Sequence, residues 1–305
     1  MIKNNKIITL VYKKTRKEQV MLDRIYVEIG NICNMKCSFC SGTKRAPRQM
    51  GVSEFDLVCQ RLSGHTEDLY FHVMGEPLLH PELDALIKTA KKYGYKVSIT
   101  TNGTLLKRRG NLLLQNADAL HRVSISLHAP ESNGMDNALG EYLDSAIEFA
   151  NSFSALDKNV IFRLWNLDSL ERAGENTLNS EILKKLKEAY TGEWIKRYSG
   201  YRLAYRTFLE LDEIFTWPSE SAAEPTDKGR CHALKRQIAV LADGTVVPCC
   251  LDSEGKIPLG NIFSESLSDI LLSECAQMMK KGFDSGRMVH PVCKTCTYAR
   301  RFSVK

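Results

Sequence analysis

Short apolar runs alternate with amphipathic stretches through the first two thirds of the chain. Residues 24–30, 68–74, 96–101, 122–127, 159–165 and 206–211 carry the apolar patterns of strands. Between them, residues 53–62, 81–93, 112–117, 142–153 and 180–190 place their apolar side chains at the spacing of one helix face. Six strands alternating with helices predict an α/β fold, a parallel sheet with helices outside. Ligands of such folds gather at the carboxyl ends of the strands, so chemistry is expected in the turns that follow each strand.

The pattern breaks at PSESAAEPTDKG, residues 218–229. A linker over residues 218–230 then separates a first domain, residues 1–217, from a second, residues 231–305. In the second, residues 237–241 and 245–248 read as strands joined by Ala242-Asp243-Gly244, and Asp-Gly is a strong hairpin signal. Residues 266–273 read as an amphipathic helix. Residues 166–179, rich in Asn, Glu and Gly, predict a long loop over the carboxyl edge of the sheet, with Trp165 and Arg172 packing and solvating.

Composition narrows the setting. The 305 residues are 43% hydrophobic and 26% charged, the balance of an ordinary soluble globular protein. The apolar run at residues 7–12 is too short for a signal peptide or membrane span. Ten cysteines without a secretory signal point to a reducing cytoplasm and to metal sites rather than disulfides. The net charge of +6 is too diffuse for a stable nucleic-acid complex. Its basic groups read as solvated faces, with one alternative: Lys44, Arg45 and Arg48 attract an anionic substrate such as a phosphate.

The chemistry is concentrated behind the first strand, in ICNMKCSFCSG at residues 32–42. Cys33, Cys37 and Cys40 are spaced Cys-x3-Cys-x2-Cys, and a loop leaving a strand end can turn three such thiolates toward one point. Thiolates suit zinc or iron and sulfur. Three cysteines on a cube of four irons leave one iron without a protein ligand, free to bind a cofactor or substrate. Zinc is the rival, completed by a distant fourth cysteine.

This loop resembles the signature of the radical S-adenosylmethionine (SAM) enzymes, with Phe39 in the aromatic slot. The resemblance implies a partial (β/α)6 TIM-like barrel and a 4Fe-4S cluster on Cys33, Cys37 and Cys40 that binds SAM. It extends to four more strand ends. Met74-Gly75-Glu76-Pro77 resembles the segment that holds the methionyl amine of SAM, although most relatives have Gly where Met74 stands. Thr100-Thr101-Asn102-Gly103-Thr104 looks like the segment lining the SAM pocket, with Thr101 and Asn102 against the cofactor. Ser126 resembles the serine contacting the SAM carboxylate or ribose, and Arg163 is placed to pair with the carboxylate.

In the second domain, Cys231, the neighbours Cys249 and Cys250, and Cys293-Lys294-Thr295-Cys296 resemble the twitch module, a shortened relative of the SPASM domain. It implies a small iron-sulfur module of β-hairpin plus helix with one auxiliary 4Fe-4S cluster on Cys231, Cys249, Cys293 and Cys296. Neighbours on a strand face opposite ways, so only one of Cys249 and Cys250 belongs to that cluster. A zinc ribbon is the alternative here. Cys59 and Cys275 read as core thiols.

His80 and His72 read as structural rings. His128, at the end of the fourth strand, together with Glu131, is the candidate pair for proton transfer. The resemblance implies reductive cleavage of SAM to a 5'-deoxyadenosyl radical that abstracts hydrogen from a substrate, with electrons from a low-potential donor such as flavodoxin or ferredoxin. The short N-terminus is expected to lack room for a leader-binding domain, which favours a small polar substrate. A queuosine-type nucleoside or nucleotide, cleaved as in the queuine lyases, is the expectation. A sugar-alcohol (aminocyclitol) dehydrogenase and a peptide-modifying enzyme are alternatives within the family, and a non-enzymatic zinc or iron-sulfur protein is the alternative outside it.

Overall fold

The computed structural model describes residues 21–167, 177–213, 215, 217–218 and 224–300. Its strands in chain order are β1 (Arg24–Val27), β2 (Asp68–Phe71), β3 (Lys96–Thr101), β4 (Leu120–Ser126), β5 (Asn159–Leu167), β6 (Ile195–Arg197), β7 (Gly200–Ala204), β8 (Thr207–Glu213), β9 (Gln237–Val240), β10 (Thr245–Val247) and β11 (Gly260–Asn261). They form one sheet in the order β11-β10-β9-β1-β2-β3-β4-β5-β8-β7-β6. From β1 through β5 to β8 every neighbour is parallel, and these are the six strands that the apolar pattern marked.

Alternation along those strands separates two environments. Ile25, Val27, Leu69, Phe71, Val97, Ile99, Val123 and Ile125 face outward into the main apolar core. They meet α1 (Val52–Leu62), α2 (Leu83–Lys92), α3 (Leu106–Gln115), α4 (Leu139–Ala155) and α5 (Asn179–Ala189), whose buried stripes include Phe55, Leu86, Leu113, Phe149 and Ile182. Each such buried side chain contributes about 1.5–3 kcal/mol. The opposite face is polar: Tyr26 and Tyr70 stand with His72, Arg122 and Arg163. A parallel sheet whose inner face carries guanidinium groups and phenols has a lumen shaped for polar ligands.

Several boundaries differ from expectation. β1 ends at Val27 and β2 at Phe71 because the chain beyond each is taken up in loops: Gly30 bridges Gln49, and Gly75 turns at φ +81°. The helix expected over residues 112–117 starts at Leu106, the basic run Lys107-Arg108-Arg109 having masked its first turn. The hairpin β6–β7 carries little apolar signal and went unseen; it extends the barrel edge antiparallel to β8. Most of the expected loop at residues 166–179, with Arg172, lies outside the described residues, as do residues 7–12 and part of the linker.

The C-terminal module continues the same sheet. β9 runs parallel to β1, pairing Ile25 with Ile238 and Val27 with Val240, and β10 turns back on β9 through Asp243-Gly244. Two short helices follow, α6 (Leu267–Leu272), capped by the Ser266 hydroxyl, and α7 (Glu274–Asp284), which the apolar pattern missed.

One buried charge fastens the barrel to this module. The Glu28 carboxylate, fully buried, accepts from Arg45 Nη2 at 2.7 Å, the Met74 N–H at 3.2 Å and the Ala242 N–H at 3.1 Å. Arg45 Nε donates to the Ser253 carbonyl at 2.8 Å, and Arg48 Nε to that of Ala242 at 2.8 Å. Arg45 is therefore spent on the C-terminal module, whereas Arg48, bonded to it through Nε, keeps an exposed guanidinium paired with Glu54, and Lys44 is exposed as well. Removing one partner of a buried pair strands the other, so Glu28→Ala is expected to destabilise the protein by about 3–5 kcal/mol in urea denaturation. A loss below about 1 kcal/mol would show that the pair carries no such weight.

Candidate functional site

The cysteine loop leaves β1 at the carboxyl edge of the barrel and has no regular secondary structure of its own. Its shape comes from bonds to its surroundings. Asn34 Nδ2 donates to Thr104 Oγ1 at 2.9 Å, the Lys36 N–H to Asn133 Oδ1 at 2.8 Å, and Trp217 Nε1 to the Phe39 carbonyl at 2.8 Å. On the side of the C-terminal module, the Ser41 and Ser253 hydroxyls lie 3.4 Å apart and the Lys44 N–H reaches Glu254 at 3.2 Å. The Phe39 ring packs on His128 with centroids 4.5 Å apart.

Within this frame each thiol receives N–H donors. Cys33 Sγ accepts from the Met35 N–H at 3.4 Å and Asn102 Nδ2 at 3.9 Å, Cys37 Sγ from Asn133 Nδ2 at 3.2 Å, and Cys40 Sγ from the Gly42 N–H at 3.4 Å. Burial, then Glu76 and Cys40, raise the pKa of Cys33, and burial, then Cys40 and Cys33, push that of Cys37 up to about 11. Three thiols on one loop, each supplied with an N–H donor that favours the thiolate, fit a cationic iron-sulfur group. Hydrogen bonds to sulfur also tune the potential of such a group. Among the described residues no three His, Cys, Asp or Glu side chains close on a point as they would around a single metal ion. The fit rests on donor chemistry.

The turn after β2 is locked to this loop. A Cβ at Gly75 would stand 2.3 Å from the Gly30 carbonyl oxygen, so only glycine permits the approach. The Glu76 N–H donates to the Ile32 carbonyl at 2.9 Å, and Pro77 opens a short 3-10 turn capped by the Glu76 side chain. The Glu76 carboxylate, buried at 4% exposure, accepts from the Thr101 hydroxyl at 2.7 Å, the Asn102 N–H at 2.7 Å and the Leu78 N–H at 2.9 Å. Burial raises its pKa, and those three donors oppose the rise. Glu76 thus stitches the turns after β2 and β3 together beside the cysteine loop, and Asn102 Nδ2 continues the chain of bonds to Asn34 at 2.9 Å.

Ser126 and Arg163 are neighbours across β4 and β5. The Tyr142 hydroxyl lies 3.0 Å and 3.1 Å from the carbonyls of Asn102 and Ser126, joining the turns after β3 and β4. Arg163 is buried; it stacks on Trp165 at 4.4 Å, donates to Thr100 Oγ1 at 3.3 Å and lies 3.6 Å from Glu210. His128 Nδ1 lies 3.1 Å from the Arg163 carbonyl, and burial pushes the ring's pKa down to about 4. Glu131 accepts instead from the N–H and hydroxyl of Thr177, both at 2.6 Å. Each member of the expected pair is thus engaged elsewhere. His80, as expected, is structural, with Nε2 3.1 Å from the Met50 carbonyl.

In the C-terminal module, Cys231, Cys249, Cys293 and Cys296 pack against the main core. Burial raises the pKa of Cys249 well above the ordinary thiol value, and Cys250, then Cys231, Cys293 and Cys296, raise it further. Cys250 points to the lumen side among Tyr26, Val73 and Val247; burial pushes its thiol up to about 12, with Tyr26 donating against the rise. Both thiols lie just beyond β10, and Cys249 alone of the two packs against the main core with the other three. Asn34 and Asn133 were not anticipated; their signal was that each is a side-chain amide in or beside a strand-end turn.

Residues 27–161 match the Radical SAM superfamily, and residues 231–297 match SPASM, an iron-sulfur cluster-binding domain. The chain carries a radical SAM domain followed by a SPASM domain, and it spans less than two thirds of the length of the first curated relatives it matches. It is 24% identical over 270 residues to the sporulation killing factor maturation protein SkfB of Bacillus subtilis, covering 80% of this chain and 63% of that one. Its fold matches BtrN in complex with AdoMet and 2-DOIA at TM-score 0.54 and 18% identity, covering 91% of this chain and 93% of that chain. It also matches Streptococcus suis SuiB bound to precursor peptide SuiA at TM-score 0.59 and 14% identity, covering 98% and 77%. The α/β barrel with its C-terminal module, and the cofactor set of a SAM-binding 4Fe-4S cluster with auxiliary cluster, are those of this family. No helix among the described residues is long and apolar enough to cross a membrane.

Two outcomes follow. Glu76→Gln replaces one acceptor oxygen by a donor facing the N–H of Asn102 or Leu78, and is expected to cost about 2 kcal/mol in urea denaturation. His72 is largely enclosed by the lumen wall, and desolvation, then Arg163 and Arg122, push its pKa down to about 3. The unfolded chain's histidine titrates near about 6.5, so the stability that His72 contributes is intact above that value and lost as pH falls toward 3. His72→Gln should show a shallower loss of stability from pH 6.5 to 4 than wild type; parallel declines would contradict the assignment.

Proposed function

We propose that this enzyme reductively cleaves SAM and directs the resulting radical at a substrate held in the lumen. The observation that carries the reading is the joining of the Cys33, Cys37 and Cys40 loop to the buried Glu76, Thr101 and Asn102 network. When bound, the 4Fe-4S cluster supplies the electron that releases methionine and a 5'-deoxyadenosyl radical. The chain's own residues hold and position. Gly75, Glu76 and Pro77 shape the turn that receives the methionyl amine. Thr101 and Asn102 line the pocket, and Ser126 and Arg163 take the carboxylate or ribose. Phe39 on His128 closes the apolar side and excludes water from the radical. His128, held neutral, orients the β5 edge rather than moving a proton.

For the substrate, a peptide is the class best supported: SkfB is named for maturation of a killing factor, and SuiB was solved with a precursor peptide. A small polar molecule is the second reading, favoured by the arginines of the lumen and by the match to BtrN with 2-DOIA. Nothing in the comparisons points to a queuosine-type nucleoside. A low-potential donor of the flavodoxin or ferredoxin kind, in the cytoplasm, completes the reading. Cys231, Cys249, Cys293 and Cys296 hold the auxiliary cluster in it.

Two assays test it. Anaerobically reduced protein is expected to form 5'-deoxyadenosine from SAM, and Cys37→Ala to abolish that while Cys293→Ala spares part of it. A precursor peptide should stimulate formation more than an aminocyclitol or queuosine monophosphate; no product from protein with intact clusters would overturn the reading. Cys249→Ala should lower bound iron by about one cluster, whereas Cys250→Ala should leave it unchanged.

A further inference from the structure

The end of the barrel opposite the cysteine loop holds a cavity of about 330 Å³. It lies between the first residues of β4 and β5, the inner face of β8 and the turn between β6 and β7, and Arg122, Ile161, Arg197, Tyr198, Phe208 and Glu210 are among its lining. Arg122 is its innermost cation. The guanidinium lies over the Tyr70 ring, 5.0 Å from the centroid, and donates to the Tyr70 hydroxyl. Those contacts fix the side chain while its Nε, buried, has no hydrogen-bond partner.

The condition recurs along the lumen wall. His72 Nδ1, Ser98 Oγ and Arg163 Nε are also buried without a hydrogen bond, and with Arg122 they lie on or just beyond four consecutive strands, β2 to β5. A buried polar atom left unmatched costs about 1–3 kcal/mol, and of the four residues Arg122 is the one that lines the cavity. The charge balance says which kind of ligand the cavity takes. Arg122 and Arg197 line the cavity with one carboxylate, Glu210, which is already paired at 3.6 Å with Arg163 Nε outside it, while Arg197 rests on the Phe208 ring at 5.3 Å.

We infer that this cavity is an anion-binding site, which takes the phosphate or carboxylate of a small molecule with Arg122 as its principal anchor. A guanidinium fixed over an aromatic ring is preorganised toward the oxygens of a phosphate or carboxylate, and a second guanidinium, Arg197, lines the same cavity. The site stands at the other end of the barrel from the SAM pocket. It would bind its anion whether or not SAM is cleaved, so its failure and that of the proposed function are read separately.

The test is thermal denaturation of the full iron-loaded chain titrated with inorganic phosphate and, separately, acetate, chloride holding the ionic strength constant. The wild type is expected to gain melting temperature saturably with one or both anions, the stronger response naming the phosphate or the carboxylate. Arg122→Gln should bind at least tenfold more weakly, and Arg122→Lys, which keeps the charge but loses the fork, should fall between. Should the glutamine variant fail to fold, the lysine variant carries the comparison alone. No saturable response in wild type, or an equal response in a folded Arg122 variant, would overturn the inference.

Discussion

Two backbones meet where Gly75 lies against Gly30, and the rest of the site hangs on that approach. Without a Cβ at Gly75 the turn after β2 lies on the base of the cysteine loop, and the Glu76 N–H reaches Ile32. The carboxylate of the same residue then binds the turn after β3. Three strand ends become one rigid rim, and a loop with no regular structure holds three thiols at fixed places. Preorganisation of this kind is what an electron-transfer centre with an open coordination position requires, since a loose loop would let ligands exchange or water enter.

The C-terminal module belongs to that rim. Because β9 pairs with β1, the strand that feeds the cysteine loop is flanked on one side by the barrel and on the other by the module. Glu28, on the chain just past β1, touches Arg45, Met74 and Ala242 at once, so the loop, the turn after β2 and the hairpin share one buried charge. Disturbing the module should therefore be felt at the SAM end through packing, whatever electrons pass between the two centres.

The barrel was legible because apolar alternation and helical period are local signals that the parallel sheet obeys. The thiol spacing was legible for the same reason, being confined to eight residues from Cys33 to Cys40. What stayed hidden depends on contacts between distant segments. That β9 would join β1, that Arg45 would reach Glu28 and Ser253 and Arg48 the Ala242 carbonyl, and that Glu131 would bind Thr177 are long-range facts with no local period. Cys249 and Cys250 lay between the two, since alternation predicts opposite faces, and the fold sets one against the main core and the other toward the lumen.

The central claim is that Cys33, Cys37 and Cys40 hold a 4Fe-4S cluster to which SAM binds directly. Electron paramagnetic resonance of the anaerobically reduced protein, with and without SAM, tests it most directly, using Cys293→Ala to remove the auxiliary signal. The account predicts a reduced-cluster spectrum in that variant that changes on adding SAM. A spectrum indifferent to SAM, from protein carrying its full iron, would contradict it.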